Sequence, residues 1–136
     1  MIGILIVSHG GFAEALISSL QFLVGKQPNI KGISIWPGDR EKELKDRIRK
    51  EMTKINDGDG VVILTDVSGG TAVNLSLSYL GDEEVELVTG VNMPMLLTLS
   101  SYRKGKSARE IGTLVKESGR RSIVLAKQLL RSKSMR

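Results

Sequence analysis

The chain opens on an apolar run, Ile2 to Val7, that halts at Ser8-His9-Gly10-Gly11. Within it, Ile4-Leu5-Ile6-Val7 shows no polar alternation, which is the pattern of a strand buried on both faces. Such a strand belongs inside a sheet that helices cover on each side. The two glycines permit a tight turn, and Phe12 begins a helical pattern. His9, the sole histidine of the chain, therefore stands where a first strand hands over to a first helix. Open α/β sheets build their sites at that carboxyl edge. On this ground His9 is expected to be a nucleophile that carries a phosphoryl group.

The rest of the sequence alternates in the same way. Phe12 to Val24 places Phe12, Leu16, Leu20 and Leu23 on one helical stripe, with Gly25 as a stop signal. Ile30 to Trp36 is predicted as a second strand, ended by Pro37-Gly38. Asp39 is the expected cap of a helix reaching Ile55, whose inner stripe is Leu44, Ile48, Met52 and Ile55. Its outer face offers Glu41–Lys45, Glu43–Arg47 and Asp46–Lys50 in the favourable acid-first order. A turn at Asn56 to Gly60 leads to a third strand, Val61 to Thr65, ending at Asp66. Val67-Ser68-Gly69-Gly70-Thr71 then forms a second strand-to-helix loop, and Thr71 to Leu80 a helix. Val85 to Thr89 is a fourth strand. Asn92 is the expected cap of a short helix with Pro94 in its first turn, over the apolar stretch Met93 to Leu99. Ser107-Ala108-Arg109-Glu110 is a capping box; it opens a helix with Ile111, Leu114 and Val115 inward, closed at Ser118-Gly119. Ser122 to Ala126 reads as a fifth strand. No repeat or linker interrupts the alternation, so residues 1–126 are expected to form one α/β domain with a mostly parallel sheet flanked by helices. Residues 127–136 are a basic tail.

Composition narrows the chemistry. The chain has 136 residues and no cysteine, so disulfides, thiolate metal sites and cysteine catalysis are excluded, and one histidine excludes a multi-histidine metal site. No cofactor or metal is expected. The net charge of +5 is spread over helix faces and the tail, and aromatic residues are 4% of the chain, so no stacking platform for nucleic acid emerges. The apolar stretches are too short to span a bilayer, and no cleavable leader is read at the start, so the expected compartment is the cytoplasm.

Two strands end alike, one at His9 before Gly10-Gly11 and one at Asp66 before Gly69-Gly70-Thr71. If the first and third strands are neighbours, His9 and Asp66 meet. A carboxylate bonded to one ring nitrogen fixes the tautomer, leaves the other nitrogen's lone pair free, and stabilises the positive charge that develops on attack. Backbone N–H groups of Gly10, Gly11, Ser68, Gly69 and Gly70, with the hydroxyl of Thr71, are the expected phosphate donors. Phosphoryl transfer needs mainly positioning and charge stabilisation, which so small a set can supply. A Ser8-His9-Asp66 triad is disfavoured, because adjacent residues on a strand point to opposite faces. A histidine phosphatase would need an arginine at the position of Ser8 and a second histidine. There is no Walker A lysine motif and no G-x-G-x-x-G.

Taken together, Ile4 to Gly11, Trp36-Pro37-Gly38, Leu64 to Thr71, Asn74 and Gly90 to Leu96 resemble the enzyme IIA component of the mannose family of the bacterial phosphoenolpyruvate-dependent sugar phosphotransferase system. The resemblance implies that His9 takes a phosphoryl group on Nε2 from the phosphocarrier HPr, with Asp66 holding Nδ1. It implies transfer to a histidine of a IIB component, which phosphorylates sugar entering through a IIC/IID membrane complex. Thr71 stands where many members have serine, and Ala72 where many have proline. The resemblance also implies a homodimer that exchanges an antiparallel edge strand, here Arg121 to Ala126. With only a short basic tail after it, a free-standing IIA protein is expected, and the composition leads to no expected nucleic-acid partner. Two other readings are a phosphoryl-donor domain of a dihydroxyacetone kinase system, and a module that senses phosphate-bearing ligands without turnover.

Overall fold

In the computed structural model, residues 1–67, 69–82 and 84–134 are described, with side chains through residue 131. The elements run β1 (Gly3–His9), α1 (Phe12–Val24), β2 (Ile30–Ile35), α2 (Glu41–Ile55), β3 (Val61–Thr65), α3 (Thr71–Leu77), β4 (Val85–Thr89), α4 (Met93–Tyr102), α5 (Ala108–Arg121) and α6 (Ala126–Ser134). The four strands pair in the order β2-β1-β3-β4, all parallel. The chain leaves β1 for β2 on one side and later returns to place β3 on the other. The strand order therefore reverses between β1 and β3, and this switch opens a crevice beyond the carboxyl ends of those two strands.

The alternation of the strands divides the core into two layers. Ile2, Ile4 and Ile6 with Val62 and Leu64 pack under α1, α4 and α5. Leu5 and Val7 with Val61, Ile63, Ile33 and Ile35 pack under α2 and α3. β1 is buried from Gly3 to Ser8 and emerges only at His9, as its unbroken apolar run requires.

Local signals decide most boundaries. Gly25 ends α1 at φ +85°, and the side chain of Asn92 accepts the Met95 N–H at 3.1 Å to start α4. The capping box at α5 is present in both directions, Glu110 N–H to Ser107 Oγ at 3.1 Å and Ser107 N–H to Glu110 Oε1 at 3.3 Å. Arg103 is 1% exposed and lies at the amino end of the sheet. There it donates to the backbone carbonyls of Pro28 at 2.6 Å and Ile2 at 3.0 Å.

Several expectations are corrected. Asp39 does not cap α2: its carboxylate accepts the Trp36 N–H at 2.8 Å, and Arg40 occupies the cap without a side-chain bond. The acid-first pairs four apart on α2 give way to Arg49–Asp46 at 3.4 Å and Lys54–Glu51 at 3.5 Å, each three apart. On α1, Ala13, Leu16 and Leu20 are the buried stripe, while Phe12 and Leu23 are exposed. α3 ends at Leu77 rather than Leu80, and α5 runs through Gly119 to Arg121. Residues 122–125 pair with no strand, and Ala126 starts α6 instead of ending a fifth strand. Ile123, Val124 and Leu125 are 81%, 64% and 64% exposed, an apolar arm that joins no strand of the sheet.

Candidate active site

His9 is the last residue of β1 and Asp66 the first residue beyond β3. Register pairs Val7 with Thr65, so the two residues reach the crevice side by side although 57 positions separate them in sequence. Asp66 Oδ2 lies 3.0 Å from His9 Nδ1 and also accepts the backbone N–H of His9 at 2.9 Å. Asp66 Oδ1 lies 3.3 Å from Nδ1 and accepts the Val67 N–H at 3.0 Å. Burial pushes the Asp66 carboxyl up. The His9 backbone and ring hydrogen bonds and the ring's charge outweigh that burial and hold it below its ordinary value of 3.8. It is thus ionised at neutral pH and can only accept, which places the proton on Nδ1 and the free lone pair on Nε2. The His9 side chain is half exposed and that of Asp66 largely covered, so the bond between them is sheltered while much of the ring faces outward.

Ser8 and His9 point in opposite directions, as strand alternation demands. Ser8 is fully buried, and its Oγ accepts the Ala13 N–H at 2.9 Å. It anchors the first turn of α1 and is no partner for the imidazole.

The glycine loops divide their work. Gly10 takes φ +62°, but its N–H is committed to the Ile35 carbonyl at 2.9 Å. It shapes the turn and is not a free donor, which corrects the expectation for this residue. The N–H groups of Gly11, Gly69 and Gly70 have no such acceptor among the described residues. Gly70, at φ +87°, passes close to the imidazole: a Cβ there would lie 3.9 Å from His9 Cε1. Thr71 begins α3 beside it, and Ser68 lies outside the described residues.

An open pocket of about 740 Å³ adjoins His9, walled by Gly10, Trp36, Pro37, Thr71 and Asn74. Trp36 is 54% exposed and sits on a turn that Asp39 braces twice. The carboxylate of Asp39 takes the Trp36 N–H, and its own N–H donates to the Trp36 carbonyl at 3.1 Å. Sequence reasoning left Trp36 without a role; its place just after a strand end was the signal available. No group of three potential metal-binding side chains occurs among the described residues, and no described helix is long and apolar enough to cross a membrane.

Comparison with known proteins places this geometry. Residues 3–116 match the family described as PTS system fructose IIA component. The chain is 33% identical over 124 residues to the mannose-specific EIIAB component of Escherichia coli K12, covering 90% of this chain and 38% of that protein. It therefore spans well under half the length of that relative. The fructose-specific EIIA component of Bacillus subtilis is 26% identical over 131 residues, which cover 96% of this chain and 90% of that one. The crystal structure of a phosphotransferase system EIIA component from Streptococcus agalactiae superposes with a TM-score of 0.85 at 27% identity, over 94% of this chain and 99% of that chain. With its parallel sheet and the paired histidine and aspartate at the switch point, the chain belongs to the mannose and fructose family of phosphotransferase-system IIA components.

Proposed function

We propose that this protein is a phosphoryl carrier of a sugar phosphotransferase system, with His9 as the acceptor. The observation that carries the reading is the His9–Asp66 pair, held at 3.0 Å through Nδ1, which leaves the opposite ring nitrogen to the crevice. The Nε2 lone pair attacks the phosphorus of phospho-HPr, and the bond from phosphorus to the HPr histidine breaks as the new one forms. Asp66 offsets the positive charge that grows on the ring. The N–H groups of Gly11, Gly69 and Gly70, with Thr71 and Ser68, are assigned to the phosphoryl oxygens. A IIB histidine then takes the group by the reverse step, toward sugar entering through IIC/IID.

The same reading assigns residues 1–126 to the IIA domain, 127–136 to a basic tail, and a homodimer to the working state in the cytoplasm. Two features support the dimer. β4 has one unpaired side in the described sheet, and the exposed arm at 123–125 is apolar and joins no strand. Addition of one copy's arm to the other's β4 satisfies both.

The test is intact mass after mixing with phosphoenolpyruvate, enzyme I and HPr. One added phosphoryl group, lost in acid and absent from His9→Ala, is the expected result. Stoichiometric labelling of His9→Ala, or no labelling of the wild type by active donors, refutes the assignment.

A further inference from the structure

We propose that Thr65 is a positioning residue, whose buried hydroxyl aims Asp66 at the imidazole of His9. Thr65 is the last residue of β3, fully buried, and its backbone carbonyl is fixed by the Val91 N–H at 2.9 Å. Its Oγ1 reaches two residues onward and donates to the Val67 carbonyl at 3.1 Å. Val67 in turn donates its N–H to Asp66 Oδ1 at 3.0 Å. Asp66 Oδ2 meets both the His9 N–H and Nδ1. The sequence of contacts is thus hydroxyl, Val67, carboxylate, imidazole, and every link is a hydrogen bond.

The chain needs this link because the sheet ladder stops at Thr65. Asp66 lies one residue beyond it and Val67, half exposed, two residues beyond. Backbone pairing ends before the carboxylate begins, so its direction depends on what holds the turn. Thr65 extends the anchored strand by two residues through its side chain. Ser8, buried one position before His9, ties the first loop down in the same manner through Ala13. Each of the paired residues is preceded by a buried hydroxyl that secures its loop. An apolar residue would fill the buried site of Thr65 without burying a polar group, so the hydroxyl's presence there points to the turn it holds.

The effect on transfer rests on the carrier reading; the effect on the imidazole does not. The experiment compares Thr65→Val and Thr65→Ser with wild type, by nitrogen-15 shifts of the His9 ring across pH and by the rate of phosphoryl uptake. In wild type the Nδ1–H tautomer should dominate the neutral ring. Thr65→Val should melt cooperatively yet shift the ring toward Nε2–H and slow uptake about tenfold, the scale of a sub-ångström misplacement. Thr65→Ser should restore both. A wild-type tautomer ratio in a folded Thr65→Val overturns the proposal, whether or not uptake slows. The tautomer shift in a protein that accepts no phosphoryl group would uphold the positioning role while refuting the carrier reading.

Discussion

Replacing Arg103 by Met should cost this protein about 3 kcal/mol although it lies far from the site. The guanidinium is 1% exposed and donates to Pro28 O at 2.6 Å and Ile2 O at 3.0 Å. Burial pushes its pKa down and the nearby Asp57 carboxylate pushes it up, with burial the larger. Methionine keeps most of the buried stem and removes both donors. Each carbonyl left unpaired costs about 1–3 kcal/mol, and relief from burying a cation returns part of the sum, leaving about 3 kcal/mol. For a chain of this size that is a fall in Tm of about 10 °C. Urea unfolding should show a lower midpoint at an unchanged slope. Lysine, a point donor where a fork is needed, should fall between the two. A methionine variant within about 1 kcal/mol of wild type would show that water or local relaxation satisfies those carbonyls, and that the arginine is no pin.

Further expectations concern the caps, the carboxylate and the glycines. Ser107→Ala removes the Glu110 N–H acceptor and should cost about 1 kcal/mol in denaturant unfolding, with phosphoryl uptake unchanged. The folded Asp66 carboxyl lies below its unfolded value. Its stabilisation is therefore complete above the unfolded value and is lost as pH falls through the folded one. The stability gap between wild type and Asp66→Asn should shrink as pH falls below about 4; a gap that widens there contradicts the sign. Gly60 sits at φ +100°, and a Cβ there would meet the Glu84 carbonyl. Gly60→Ala should therefore lower Tm more than Gly58→Ala, which meets nothing within 4 Å.

The sequence disclosed whatever one residue type signals by itself. Unbroken apolar runs located β1 and β3, β-branched residues bounded by turn signals located β2 and β4, and glycines and capping residues placed the end of α1 and the starts of α4 and α5. His9 and Asp66 were legible because each follows a buried strand and precedes a glycine pair. What escaped depends on distant partners. Arg103 looks like an ordinary surface cation until Ile2 and Pro28 are brought to it. Asp39 had two competing uses, helix cap and turn brace, and the Trp36 N–H took it. The commitment of the Gly10 N–H became visible only with β2 alongside. Residues 122–125 have the composition of a strand but no strand partner among the described residues, so composition alone could not assign them a state.

The alternation at the end of β1 makes the chemistry sensitive to counting. Ser8 turns under α1 and His9 into the crevice because of where they fall in the pleat at the end of the strand. Insertion or deletion of one residue between Gly3 and Val7 would leave an apolar strand able to pair, yet exchange the two side chains. The hydroxyl would then face solvent and the imidazole would be sealed against the helices, away from any protein that could reach it. The surface turns can change length at little risk, whereas the seven residues of β1 fix a parity that decides whether a well-folded copy is active or inert.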